Sequence, residues 1–206
     1  MRWLLPFAVA AAVASISCEV GQGVGSVRGN LHVDCEGKDL SAYEMGPDFY
    51  GAIAANNRLL IRIQRGGDIQ EYSDNLVIVV DDTDRIQDGV PIQLKLHPPL
   101  GSPPSAVAEA VRISLSLRGT CGSGRLGAND PTQVVLHAIG GTITFKSILR
   151  GDPSSTDTNA KRIEGNFNIQ LEDPRHAEGT AARTAGTLNG DFKFFYQRGG
   201  PAQPFP

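Results

Sequence analysis

The sequence predicts an all-β fold: an antiparallel β-sandwich of about nine or ten strands, with a closed β-barrel as the alternative. Three observations carry this. Apolar and polar residues alternate with a period of two, as in Ile92-Gln93-Leu94-Lys95-Leu96 and Val111-Arg112-Ile113-Ser114-Leu115-Ser116-Leu117-Arg118. Such alternation places the apolar side chains on one face of a strand and leaves the other face in water. The 24 glycines and 13 prolines punctuate the apolar runs as turn residues do. Helical periodicity is nearly absent.

Further short runs of strand character occur at 59–63, 76–80, 134–138, 143–145, 167–171 and 192–196. Ser105 is placed to cap a helix over 105–111, but Val107 and Val111 share the phase of the following alternation. That stretch therefore reads as one long strand or as a turn entering a strand. A short pattern recurs three times: apolar, any, Gly, Asn or Asp, apolar, polar, apolar. It appears around Gly29, Gly165 and Gly190. The expected meaning is three strands that bulge or approach other backbone closely at the same point, since the copies are too short for a solenoid or propeller.

The chain divides into a signal peptide (1–17), a flexible tether (18–25), a single β domain (26–198) and a Pro/Gly-rich tail (199–206). Arg2 precedes an apolar run from Trp3 to about Ala14, which is shorter than the roughly 20 residues that span a bilayer and suits a cleaved export signal. Ser15-Ile16-Ser17-Cys18 resembles the lipobox of bacterial lipoproteins, in which the signal is cut before a cysteine carrying a diacylglyceryl group. Ile16 and Ser17 fit that pattern, and Ser15 stands where the family prefers Leu. The resemblance implies a lipid anchor on Cys18 and a location in the cell envelope, with the membrane as partner. Ala12-Val13-Ala14 offers the alternative of cleavage to a soluble periplasmic or secreted chain. The C-terminal half, through Gly141–Phe145, Gly165-Asn166-Phe167 and Gly190-Asp191-Phe192, is loosely similar to the closing sheets of uncharacterised bacterial lipoproteins.

The three cysteines are Cys18, Cys35 and Cys121. With Cys18 lipidated, Cys35 and Cys121 form an even pair in an oxidising compartment, and a disulfide between them is expected; two separate buried thiols are the alternative. A bridge from an early strand to a middle one suits two packed sheets. Removing residues 1–17 takes away Arg2 and leaves 18 Lys+Arg against 22 Asp+Glu, net −4. This mildly acidic chain with scattered charge is not built for nucleic acid or for an anionic lipid surface.

No catalytic motif is found. G-x-S-x-G, S-x-x-K, Cys-x-x-Cys and a phosphate-cradling glycine loop are absent, and no cofactor is expected. The acidic turn Asp81-Asp82-Thr83-Asp84 with Asp88 supplies weak metal candidates, but it lacks EF-hand spacing and a bidentate Glu, so no metal site is assigned. His32, His97, His137 and His176 are scattered. The polar stretch 150–161 reads as an exposed loop, and its Arg150-Gly151-Asp152 tripeptide is a common turn. The function expected is a non-enzymatic, exported binding or structural protein with a protein or glycan ligand. Two alternatives stand beside it. One is a polysaccharide-acting hydrolase using acids from among Glu164, Glu172, Asp173 and Asp191, two of which must face one cleft at about 5–10 Å. The other is a barrel carrier of a small apolar ligand, with a cavity of at least roughly 300 Å³.

Overall fold

The structure is a computed structural model and describes residues 21–35, 37–66, 73–95, 107–122, 134–155, 157–158 and 161–196. Ten strands form in chain order: β1 (Gly23–Leu31), β2 (Tyr43–Met45), β3 (Phe49–Ala55), β4 (Arg58–Gln64), β5 (Asn75–Val80), β6 (Ile92–Gln93), β7 (Val111–Ser116), β8 (Val135–Ser147), β9 (Arg162–Glu172) and β10 (Thr184–Phe195). One helical turn, α1 (Arg118–Cys121), follows β7. The alternating runs are strands, and their apolar phase is the buried one: in β5 Leu76, Ile78 and Val80 are buried, as are Val111, Ile113 and Leu115 in β7. The stretch before β7 is a 3₁₀ turn (Val107–Glu109) running into the strand; Ser105 lies outside the described residues. Of the run expected at 92–96, Ile92–Gln93 forms β6 and the Leu94 N–H donates to the Gly141 carbonyl at 2.8 Å; Leu96 lies outside the described residues. The runs expected at 134–138 and 143–145 are one strand, β8, because β9 pairs along its length from His137 to Ser147 and carries it through Gly140-Gly141.

All ten strands belong to one antiparallel sheet, ordered β2-β1-β10-β9-β8-β7-β5-β4-β3, with β6 beside β8. The two layers expected of a sandwich are thus the two sides of a single sheet that curls into a half-barrel. The curl brings its far strands back together. The Tyr50 N–H at the start of β3 donates to the Gly21 carbonyl at 2.8 Å, and the Tyr50 ring lies 6.1 Å from that of Phe194 on β10. The concave side is filled by side chains, among them Phe145, Phe192, Leu59, Ile61, Leu115 and Leu136.

The recurring glycine pattern falls on three neighbouring strands, β1, β10 and β9. Its glycines face large side chains across the sheet. Gly165 pairs with Phe192 on one side and Phe145 on the other, Gly190 with Phe167, and Gly29 with Leu188. A Cβ on Gly190 would come within 2.6 Å of Phe167 Cζ, and one on Gly165 within 2.8 Å of Phe192 Cζ. These positions are close approaches: at Gly165 and Gly190 the missing side chain makes room for a phenylalanine ring lying over the backbone, and at Gly29 for the Leu188 side chain, which permits tight curvature without a void.

The glycines at 21–25 do not form the expected tether. Gly23 to Gly25 are in β1 and pair with Phe194 to Phe192, and Gly21 carries the bond to Tyr50. Gly21 has φ +86°, and a Cβ there would come within 2.6 Å of the Phe49 ring, so glycine is required by backbone conformation and by space. The loop at 150–161 is more anchored than its composition suggests. The Arg150 guanidinium donates to Asp88 (2.6 Å) and to the Ile86 carbonyl (2.7 Å), and Thr158 is buried. Residues 1–20, including the signal and Cys18, and the tail at 199–206 lie outside the described residues.

Cys35, just after β1, is bonded to Cys121 in α1. Beside that bridge Asp74, fully buried at the entry to β5, accepts hydrogen bonds from the Tyr43 hydroxyl of β2 (3.1 Å), the Thr120 amide (2.8 Å) and the Thr120 hydroxyl. Lys38 donates to the Thr120 carbonyl, and Arg65 Nη2 to the Glu44 carbonyl at 2.7 Å. Together these contacts tie the β1–β2 side of the half-barrel to the β4–β5–β7 side. Tyr43 ionises only at strongly raised pH, because its hydroxyl is buried and because the Asp74 carboxylate faces it and accepts its proton.

Candidate functional site

The candidate site is a groove at the end of β9. Both neighbours of β9 carry one extra residue there. On β8, Ala138 pairs with Leu171 and Gly140 with Gln170, which leaves Ile139 over; on β10, Thr184 pairs with Glu172 and Gly186 with Leu171, which leaves Ala185 over. Paired bulges at one level splay the strand ends and aim the flanking side chains outward. The connection from β9 to β10 then folds across the gap.

Asp173 organises that connection. It is fully buried and accepts from the Arg175 amide (3.0 Å), from Arg175 Nε (2.9 Å) and from Arg175 Nη2 (2.6 Å). Its own N–H donates to the Arg183 carbonyl at 2.8 Å. Burial works against ionisation of Asp173, but the bonds from Arg175 outweigh it, with a lesser contribution from His176, and the carboxyl is held below the usual aspartate range.

Arg183 returns over the mouth of the groove. Its Nε donates to Glu172 Oε2 at 2.6 Å, its Nη2 to Glu172 Oε1 at 3.1 Å and its Nη1 to the His176 carbonyl at 3.3 Å. Glu178 approaches the same guanidinium at 3.8 Å from an exposed position. The hydrogen bond with Glu172 is the main reason that Arg183 holds its proton more firmly than a free guanidinium. The resulting groove has a volume of about 600 Å³, is open to solvent, and is lined by Ile139, Glu172, Glu178, Thr180 and Arg183 among others. The Thr180 hydroxyl donates to the Ala177 carbonyl at 2.8 Å.

The acids expected to serve a hydrolase do not share this groove. Glu164 and Glu172 are eight residues apart on one strand, roughly 26 Å at strand rise. Glu164 is instead paired with Lys146 (3.3 Å) and Arg162 (3.6 Å). Asp191 pairs across the sheet with Asn166, six residues from Glu172, and accepts the Ser26 hydroxyl at 2.6 Å. Asp173 is enclosed by its own connection. Only Glu172 reaches the groove. Its carboxylate companion there is Glu178, which lies in a polar stretch with no strand periodicity to mark it.

The four aspartates considered for a metal each have a different partner. Asp81 accepts from Arg58 (2.7 Å) and, through both of its oxygens, from Arg112 Nη2 (2.8 and 2.7 Å). Asp82 caps the 3₁₀ turn Thr83–Arg85 by accepting from the Asp84 amide, and Asp84 accepts from Asn57 at 2.6 Å. Asp88 is held by Arg150. Among the described residues no group of three or more His, Cys, Asp or Glu is placed to hold a metal ion. His32 and His137 are exposed, His176 lies 3.8 Å from Asp173, and His97 is outside the described residues. No protein-family model, curated protein or solved structure matches this chain.

Proposed function

We propose that this is an exported protein of the cell envelope, anchored by lipid on Cys18, that acts by binding or by a structural role and not by catalysis. The observation that carries the reading is the Cys35–Cys121 disulfide. A buried bridge of this kind belongs to an oxidising compartment. It also uses up two of the three cysteines and leaves Cys18, at the lipobox-like sequence, as the one with another fate. A non-catalytic role is supported by the groove itself: both oxygens of the Glu172 carboxylate are already engaged by the Arg183 guanidinium. The groove is open and combines apolar lining with the charged Glu172, Glu178 and Arg183, which suits a protein or glycan ligand that docks on it.

The test is intact mass on protein produced with its own leader. The expected species starts at Cys18, carries a diacylglyceryl group and is two hydrogens lighter than the dithiol. A chain starting at Ser15 without lipid would refute the anchor. Free thiols at Cys35 and Cys121 would refute the oxidising compartment.

A further inference from the structure

We infer that the outer face of the sheet at its Gly21 end, formed by Val24, Phe195, Lys193 and Arg162, rests directly on a phospholipid bilayer surface. The inference builds on the Cys18 anchor proposed above and adds the orientation of the domain. Its first support is chain length. Gly21 is fixed by its bond to Tyr50 and by the Phe49 ring, and β1 begins two residues later. Three residue steps separate Cys18 from Gly21, which covalent geometry limits to about 11 Å. A lipid on Cys18 therefore holds this end of the half-barrel within the depth of the headgroup layer, whatever path those few residues take.

The second support is the surface found at that end. Val24 is 64% exposed and Phe195 is 51% exposed, two of the four large apolar side chains that the described residues present to solvent. Both point away from the core. Val24 pairs across the sheet with Lys193, and Phe195 with Arg162, whose guanidinium lies 5.7 Å from the Phe195 ring centre. Lys146 on β8 adds a third cation. The carboxylates on the same face are Glu164, between Lys146 and Arg162, Asp191, bonded to Ser26, and, further along β1, Glu44 of β2, paired with Arg28. Four cations (Lys193, Arg162, Lys146, Arg28) against three carboxylates make this a locally positive face, which the net acidic charge and scattered charges of the sequence do not reveal. Apolar side chains interleaved with lysine and arginine are what an interfacial surface needs: the apolar groups enter the headgroup boundary and the cations meet lipid phosphates.

The sole tryptophan of the sequence is Trp3, in the leader, so a processed chain offers a dark background for a single reporter. Full-length chains carrying Val24→Trp, Phe195→Trp or His32→Trp are produced with the native leader, and their intact mass is recorded first. Each is then reconstituted into phosphatidylcholine–phosphatidylglycerol vesicles containing brominated acyl chains. His32 is exposed and follows the far end of β1, eight residues beyond Val24 and roughly 26 Å away at strand rise, so it serves as the distant control. Indole fluorescence in the Val24→Trp and Phe195→Trp chains should be quenched at least about twofold more strongly than in the His32→Trp chain, because the first two sites enter the interface. Equal quenching in all three lipid-bearing variants would overturn the docked orientation and leave the anchor standing. Protein of lipid-free mass would overturn the anchor, and with it the orientation that depends on it.

Discussion

Replacing Cys35 and Cys121 together by serine is expected to destabilise the domain by about 4–5 kcal/mol, and the magnitude follows from where the bridge sits. The two residues are 86 apart in sequence. In the chain-entropy model, a closed loop of that size costs the unfolded chain about 15 cal/mol/K of entropy, or about 4.6 kcal/mol at 25 °C. The bridge acts on the unfolded ensemble, so the variant should keep its native far-ultraviolet circular dichroism while its thermal midpoint falls. At 2–4 °C per kcal/mol for a chain of this length, the drop is roughly 9–18 °C. Both cysteines are buried, so lost sulfur packing adds to the effect rather than offsetting it. The assay is thermal and urea unfolding of the oxidised protein and of the double variant, followed by circular dichroism. The denaturant slope should rise in the variant, because an unbridged chain exposes more surface when it unfolds. A midpoint within about 3 °C of the parent, with an unchanged slope, would show that the loop between the cysteines is not released on unfolding, and the entropic account would fail.

Three other outcomes are expected. Gly190→Val sets a branched side chain against the Phe167 ring and the β1 backbone and should cost about 1–3 kcal/mol in urea unfolding; a stability equal to the parent's would refute the ring-over-glycine packing. Burial and the Asp74 carboxylate raise the pKa of Tyr43, and burial, with lesser effects of Asp191 and Asp48, pushes that of Tyr50 up to about 12. A tyrosine with a raised native pKa stabilises the fold fully below its unfolded value near 10 and loses that contribution as pH climbs toward the native value. Tyrosinate absorbance should therefore appear together with unfolding above about pH 10, and Tyr43→Phe should weaken that alkaline loss. Asp173 has a lowered native pKa, so its contribution is present above the ordinary aspartate value and disappears as pH falls through the native one. Asp173→Asn should flatten the acid limb of the stability curve, and an acid limb identical to the parent's would count against the Asp173–Arg175 pairing as its source.

The β class and most strands were legible because a period of two is a local signal: each residue reports its own face to its neighbours along the chain. Residues 59–63, 76–80 and 111–116 are read correctly on that basis. β2 and β3 carry no such signal. Tyr43-Glu44-Met45 is too short to show a period, and Phe49–Ala55 mixes glycine and alanine with its large residues, so its strand identity comes from pairing with β4 across Asn56-Asn57. The glycines at 21–25 resemble a spacer in sequence because composition cannot distinguish a glycine that is free from one that a ring requires. At the groove, Glu172 stood among the sequence candidates, whereas Glu178 and Arg183 did not. Nothing in a polar connection announces that its arginine will return to the last residue of the preceding strand.

The amino-acid order alone, then, determined that the chain forms alternating strands, that two of its cysteines are free to pair, and that its carboxylates and histidines show no local ligand spacing. Those are properties of neighbours in sequence. Tertiary structure decided that one sheet curls on itself, that Gly21 and Tyr50 meet, that Asp74 joins β2 to α1, and that Glu172, Glu178 and Arg183 line one groove. Each of these depends on register between strands distant in the chain, which is set by how rings, glycines and bulges fill one shared core and not by any single segment.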